Sequence, residues 1–288
     1  MNEYVRRVSR LPESLLPRLP HLDIELTERC DNDCIHCCIN LPAGHAAARA
    51  REMTTQQVLG IMGQAAGLGC LQVRLTGGEP LLRPDFESIY LHARRLGMKV
   101  LVYTNARRIT VRLAELWKRV PPLVPIEVTV YGMCRESYEA VTRSRGSYAQ
   151  FRRGVGLLLD RQVPFAVRGA LLPPNRHEME EFEAWTRTLP AMDTDPGYSM
   201  FFDLRGRRDD EAKNELIRSL RVTPEEGVAV LSRNEARYQK EMEEFASRFM
   251  GPQGDRLFTC GAGRSLCVDA YGRAQPCVGV RAPDLAVD

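Results

Sequence analysis

The stretch that most constrains this chain is Cys30-Asp31-Asn32-Asp33-Cys34-Ile35-His36-Cys37, three thiols at C-x3-C-x2-C spacing. It follows a short apolar segment, Leu22, Ile24 and Leu26, that reads as a strand. A loop of this length lets three sulfurs converge on one metal centre, and it offers no local fourth ligand. A [4Fe–4S] cluster normally takes four cysteine thiolates, so a three-thiol loop leaves one iron open to another ligand. C-x2-C and C-x3-C pairs also serve zinc, and this stretch alone leaves both metals open.

A second stretch narrows the choice. Leu71-Gln72-Val73-Arg74-Leu75 alternates like a strand and runs into Thr76-Gly77-Gly78-Glu79-Pro80. Two glycines let a backbone come close to a ligand, and a carboxylate can meet an ammonium group. Alone, such a run also makes an ordinary strand-to-helix turn. Together and in this order, the two motifs resemble the radical S-adenosylmethionine (radical SAM) superfamily. That resemblance implies that Cys30, Cys34 and Cys37 hold a [4Fe–4S] cluster. The cofactor's methionine amino and carboxyl groups would chelate the open iron. The turn of Gly77, Gly78, Glu79 and Pro80 would bind the cofactor's amino group, with Glu79 meeting the ammonium.

The chain has 288 residues and is 44 % hydrophobic, enough for one large core or two smaller ones. A net charge of +3 gives no reason to expect a nucleic-acid partner. No apolar run approaches a bilayer span. The N-terminus, Met1-Asn2-Glu3-Tyr4-Val5-Arg6-Arg7, lacks the apolar centre of a secretory signal. Nine cysteines without an export signal argue for metal ligation or free thiols over disulfides, and for a cytoplasmic protein.

In chain order, residues 1–20 read as an N-terminal arm. Strand-like segments follow at 22–26, 71–75, 99–103, 126–131, 164–171 and 198–204, with amphipathic helices between them. Ser147 and Asn175 are expected N-caps. Six such units predict a parallel α/β sheet over 21–205. The family resemblance implies that it curls into a six-unit (β/α)6 partial TIM barrel, with the site at the strands' C-terminal ends. Residues 206–250 read as a charged, solvated connector and one long helix, opened by the capping box at Thr223-Pro224-Glu225-Glu226.

The resemblance also implies further cofactor contacts. His36 occupies a position, often aromatic, that lies against adenine. Thr104 and Asn105 end the third strand, where the family often has such a pair. Thr129 and Tyr131 end the fourth, where members often carry Ser-Leu-Asp-Gly, so Tyr131 stands in place of an acid. Arg143 and Arg168 are candidate clamps for the cofactor carboxylate, because guanidinium meets carboxylate in a fork.

Beyond residue 250, Cys260, Cys267, Gly272 and Cys277 follow C-x11-G-x4-C. This resembles the start of a SPASM or twitch extension carrying an auxiliary iron–sulfur cluster; a small zinc-binding β-unit is the plainer reading. The sequence stops before a second cysteine cluster, so residues 251–288 are expected to be a truncated extension. Cys38 abuts Cys37 and is expected to point away from the first cluster. The resulting expectation is an enzyme that cleaves S-adenosylmethionine reductively and abstracts hydrogen from a peptide or protein. It would need an external one-electron donor of flavodoxin or ferredoxin type. A small-molecule substrate in cofactor biosynthesis and a non-catalytic metal-binding interaction protein are the alternatives.

Overall fold

The structure, a computed structural model, describes residues 19–205, 211–249, 265–279 and 286–287. Most of the expected N-terminal arm and Cys260 lie outside them. Six strands, β1 (His21–Thr27), β2 (Gln72–Gly77), β3 (Lys99–Thr104), β4 (Ile126–Val130), β5 (Phe165–Ala170) and β6 (Gly197–Ser199), pair in parallel in chain order. Helices α1 (Ala46–Arg51) and α2 (Thr55–Gly67) cross from β1 to β2. The later crossovers are α3 (Phe86–Arg95), α4 (Val111–Arg119), the pair α5 (Arg135–Thr142) and α6 (Ser147–Asp160), and α7 (Met179–Thr186).

Alternation along the strands builds two different faces. Leu22, Ile24, Val73, Leu75, Val100, Val102, Ile126, Val128, Phe165 and Val167 join one buried cluster with Met62, Ile89, Tyr90, Trp117 and Phe151 from the helices. The intervening positions are mostly polar, among them Asp23, Glu25, Arg74, Tyr103, Glu127 and Arg168, with Leu101 and Ala166 as apolar exceptions. The barrel interior is therefore an ionic layer, with Asp23 2.6 Å from His21 and 3.3 Å from Arg74.

The sheet does not close. A further strand, β7 (Ser265–Val268), pairs in parallel with β1, and β8 (Ala274–Gln275) folds back antiparallel on β7. The expected partial barrel is thus present, and it gains two strands at its β1 edge.

Several expectations are corrected. The connector contains α8 (Glu211–Leu220), whose Ile217 and Leu220 are buried with Val141, Leu172 and Phe202. Its apolar stripe is short, and flanking charges such as Arg218, bonded to Glu211 and Glu215, mask it in the sequence. The capping box at Thr223 forms, but the single long helix is two: α9 (Pro224–Leu231) and α10 (Glu235–Phe249). Asn234 divides them, because its Oδ1 accepts Arg237 N–H at 3.1 Å and caps a new helix start. The sixth strand is only three residues long. Gly146, in the left-handed region at φ 80°, takes the cap position expected for Ser147. Asn175 bonds loop groups instead: it accepts from Leu172 N and donates to Tyr131 O and Ala170 O, each at 2.8 Å.

Because α8 is docked, Ile217→Ala should lower unfolding free energy by about 2–5 kcal/mol in urea titrations. A solvated connector would lose less than about 0.5 kcal/mol.

Candidate active site

The cysteine loop leaves β1 and is tied down on every side. Asp33 N donates to Thr142 O at 2.9 Å and Ile35 N to Val141 O at 3.0 Å, docking the loop on the end of α5. Arg107 donates to Asp31 O and, at 2.5 Å, to Asn32 Oδ1. A two-residue parallel ladder, Arg29–Cys30 with Leu41–Pro42, closes its base. Along the loop, Asn32 and Cys34 are buried and Asp33 is exposed.

Cys30, Cys34 and Cys37 line a cavity of about 450 Å³ at the strands' C-terminal ends, a size usual for ligand pockets. Cys30 Sγ accepts from Asn32 N at 3.4 Å and from Asn105 Nδ2 at 3.7 Å. Burial, followed by the neighbouring Cys34 and Glu79, pushes the Cys30 thiol well up. Burial and Cys37 do the same to Cys34. Thiols so placed keep their protons until a cation takes them, and metal ligation deprotonates them outright. Three such groups, with two hydrogen-bond donors aimed at the Cys30 sulfur, suit an iron–sulfur cluster with one iron open.

The glycine turn works differently from its reading in sequence. A Cβ on Gly77 would stand 2.2 Å from Thr27 O, and one on Gly78 would stand 2.2 Å from Arg29 O. The backbone that comes so close is the chain's own, at the root of the cysteine loop. Gly77 also sits at φ 117°, where side chains are strained. Glu79 is fully buried and outside the cavity lining. Its Oε1 accepts from Leu81 N at 3.0 Å and Thr104 Oγ1 at 2.9 Å, and its Oε2 from Asn105 N at 2.8 Å. Burial, then Asp31, pushes its carboxyl up to about 7, against those hydrogen bonds.

Of the other expected contacts, His36, Gly77, Gly78, Thr104, Asn105, Thr129, Tyr131 and Arg168 all line the cavity. His36 packs its ring against Phe202 at 4.7 Å and Tyr131 at 5.8 Å, and its buried Nδ1 lacks a hydrogen-bond partner. Burial and Lys213 push its pKa down to about 3, so the imidazole is neutral. Arg168 points into the cavity but is paired with Glu127 at 2.8 Å. Arg143 lies elsewhere, bonded to Asp33 on the outer side of the loop. Pro80 is buried at the start of a short 3-10 turn. Cys38, expected to point away, is also among the cavity residues.

Sequence reasoning missed Tyr103, Glu127, Ser199, Phe201, Phe202 and Asp203, which also line the cavity. Strand alternation was the available signal for Tyr103 and Glu127. At the C-terminal segment, Cys267 is buried and stands in register with Asp23, while Cys277 is half-buried two residues beyond β8. Neither lines the cavity. Tyr271, in the β7–β8 turn, donates its hydroxyl to Glu28 at 2.7 Å and lies under the Arg51 guanidinium at 4.2 Å.

The fold and this cysteine-lined cavity define a radical-enzyme core, and comparison with known proteins agrees. The Radical SAM superfamily profile matches residues 24–186, and the chain belongs to that superfamily. An AdoMet-dependent heme synthase of Methanosarcina barkeri is 26 % identical over 188 residues, 65 % of this chain and 52 % of that protein. A PqqA peptide cyclase of Streptomyces rochei is 41 % identical over 92 residues, 32 % of this chain and 24 % of that one. The chain thus spans about half or less of these relatives' lengths. The solved structure of native anSMEcpe with bound AdoMet and Cp18Cys peptide superposes with a TM-score of 0.57 at 12 % identity. It covers 93 % of this chain and 76 % of that one, and shows the shared fold.

Glu79→Gln tests the buried carboxylate. An amide must turn its NH2 toward either Asn105 N–H or the Leu81 and Thr104 donors, leaving a buried donor unsatisfied. At neutral pH the variant should lose about 1–3 kcal/mol in urea unfolding of the metal-free protein. A carboxyl raised to about 7 stabilises the fold fully below the unfolded pKa and loses that contribution as pH rises through 7. The deficit of the variant should therefore shrink between pH 5 and 8, read from unfolding midpoints across that range.

Proposed function

We propose that Cys30, Cys34 and Cys37 hold a [4Fe–4S] cluster and that the adjoining cavity takes S-adenosylmethionine, for hydrogen abstraction from a peptide or protein. Cluster and cofactor together supply a carbon radical by reductive cleavage of the sulfonium. The chain's own residues hold and shield that chemistry. Asn105 donates to the Cys30 sulfur, His36 offers a neutral aromatic face, and Thr129 with Arg168 present polar groups across the cavity. Phe202 and Tyr131 wall one side against water, which a reactive radical needs excluded. Because Glu79 is already engaged, its part is to position the Gly77–Gly78 backbone, which is left to face the cofactor's amino group.

The observation that carries the peptide reading is the open side of the sheet. It ends at the three-residue β6, whose last residue Ser199 lines the cavity and beyond which an exposed Phe201 continues the wall. An extended substrate can enter there. The peptide named in the anSMEcpe structure and the PqqA peptide cyclase relatives support the same class. The heme synthase relative favours a second reading, a small tetrapyrrole-like substrate. Deuterium transfer into 5′-deoxyadenosine from a labelled peptide library, against labelled porphyrins, separates the two.

A Cys30→Ala/Cys34→Ala/Cys37→Ala variant, reconstituted anaerobically, should release no 5′-deoxyadenosine under dithionite. Release at the wild-type rate would remove these residues from the reading. Cys260, Cys267 and Cys277 are proposed to hold an auxiliary cluster. Changing all three to Ala should lower iron from about eight to about four per chain while 5′-deoxyadenosine formation persists. Four irons in the reconstituted wild type would reject the second site.

A further inference from the structure

One residue holds both ends of the contact between Asn105 and the Cys30 sulfur. Asn105 follows β3, and its side-chain amide has two possible orientations. Its Oδ1 accepts the Arg107 N–H at 3.0 Å. Its Nδ2 is thereby turned to the cysteine loop, donating to Asp31 Oδ1 at 2.9 Å and to Cys30 Sγ at 3.7 Å. A reversed amide would set its NH2 against the Arg107 donor and its oxygen against the Asp31 carboxylate, two repulsive contacts. Ala106, between the two residues, sits at φ 62°, in the left-handed region that side chains rarely adopt. That tight turn brings the Arg107 N–H back onto Asn105, and the Thr104 hydroxyl braces it by accepting Ala106 N–H at 3.0 Å.

The Arg107 side chain reaches the other end of the contact. It is buried, and its Nε donates to Gln150 Oε1 of α6 at 2.8 Å. Its Nη1 donates to Asn32 Oδ1 at 2.5 Å and to the Asp31 carbonyl. Asp31 and Asn32 immediately follow Cys30, so the guanidinium pins the loop to α6 beside that thiol. The backbone of Arg107 therefore aims the donor, and its side chain places the acceptor. A lysine would keep the charge but not the planar fork that spans Gln150 and the loop.

Taking Cys30, Cys34 and Cys37 as cluster ligands, we propose that Arg107 is a positioning residue that, through Asn105, holds a hydrogen bond on the Cys30 sulfur and so raises the cluster's reduction potential. One-electron reduction adds negative charge to the cluster and its sulfurs, and no bond breaks. A donor aimed at a sulfur stabilises the reduced state more than the oxidised one, and such bonds are among the levers that set these potentials. Misplacing the amide makes reduction harder even where the metal stays bound.

The test is a potentiometric titration of the anaerobically reconstituted protein without S-adenosylmethionine, followed by electron paramagnetic resonance. The signal to follow is the one that the Cys30→Ala/Cys34→Ala/Cys37→Ala variant lacks. Asn105→Leu removes the donor and should move the midpoint to more negative potential by about a tenfold change in the oxidised-to-reduced ratio, about 59 mV for one electron. Arg107→Lys keeps the charge and loses the fork, and should move it the same way by about threefold or more. The double variant should move no further than Asn105→Leu alone, because Arg107 acts through that amide. A wild-type midpoint in either single variant overturns the proposal; if iron content falls while the remaining clusters keep that midpoint, Arg107 is a loop anchor only. Full additivity in the double variant overturns it as well. Should Arg107→Lys take up no iron, Gln150→Leu, which removes only the Nε acceptor, must still shift the midpoint negatively, or the proposal fails. If the wild-type protein shows no signal that depends on these three cysteines, the cluster reading itself falls and this proposal falls with it.

Discussion

The buried carboxylate of Glu79 holds the site together. It ties together the turn after β2 and the end of β3 through Thr104 and Asn105, while the residue's own N–H donates to Arg29 O at 2.9 Å, at the root of the cysteine loop. Asn105 then passes this order to the metal site, because its amide reaches both Cys30 and Asp31. A carboxylate with three donors in a dry interior has few alternative arrangements. Partial loss is expensive, since each unmet donor retains its desolvation penalty. The same burial that fixes the geometry raises the carboxyl toward neutrality, so rigidity is held against an electrostatic cost.

Charge is distributed by layer. The helix-facing side of the sheet is apolar, the inner side carries Asp23, Arg74, Glu127 and Arg168, and the cysteine loop pairs its own acids Asp31 and Asp33 with Arg108 and Arg143. A polar interior suits the charged sulfonium cofactor proposed for this cavity. Paired groups such as Glu127 and Arg168 can re-pair with a ligand without leaving a bare charge behind.

Much of this was legible in the residues. The cysteine spacing and the glycine turn mark residues that the fold gathers around one cavity, and alternation gives the strands. The glycines were legible as a requirement but not in their cause: what crowds Gly77 and Gly78 is Thr27 and Arg29, a contact between segments fifty residues apart. Helix α8 was obscured because two buried positions, Ile217 and Leu220, carry its docking while charge dominates its composition. Phe201, Phe202 and Asp203 follow a strand that ends at Ser199, and no local period marks a chain running across a cavity mouth. No helix among the described residues is long and apolar enough to cross a membrane, as the hydropathy suggested.

The pairing of β7 with β1 has a consequence for how the chain is made. In a six-strand half-barrel β1 would be an edge, with one row of backbone groups unpaired. Here residues 265–268 supply that row, in register from His21 to Ile24. During synthesis the strand that feeds the cysteine loop therefore waits, half-paired, until the far end of the sheet emerges. Long-range closure of this kind is slow. Until it is complete, β1 is the open edge most able to pair with another nascent copy. The cysteine loop grows from the last part of the sheet to be sealed.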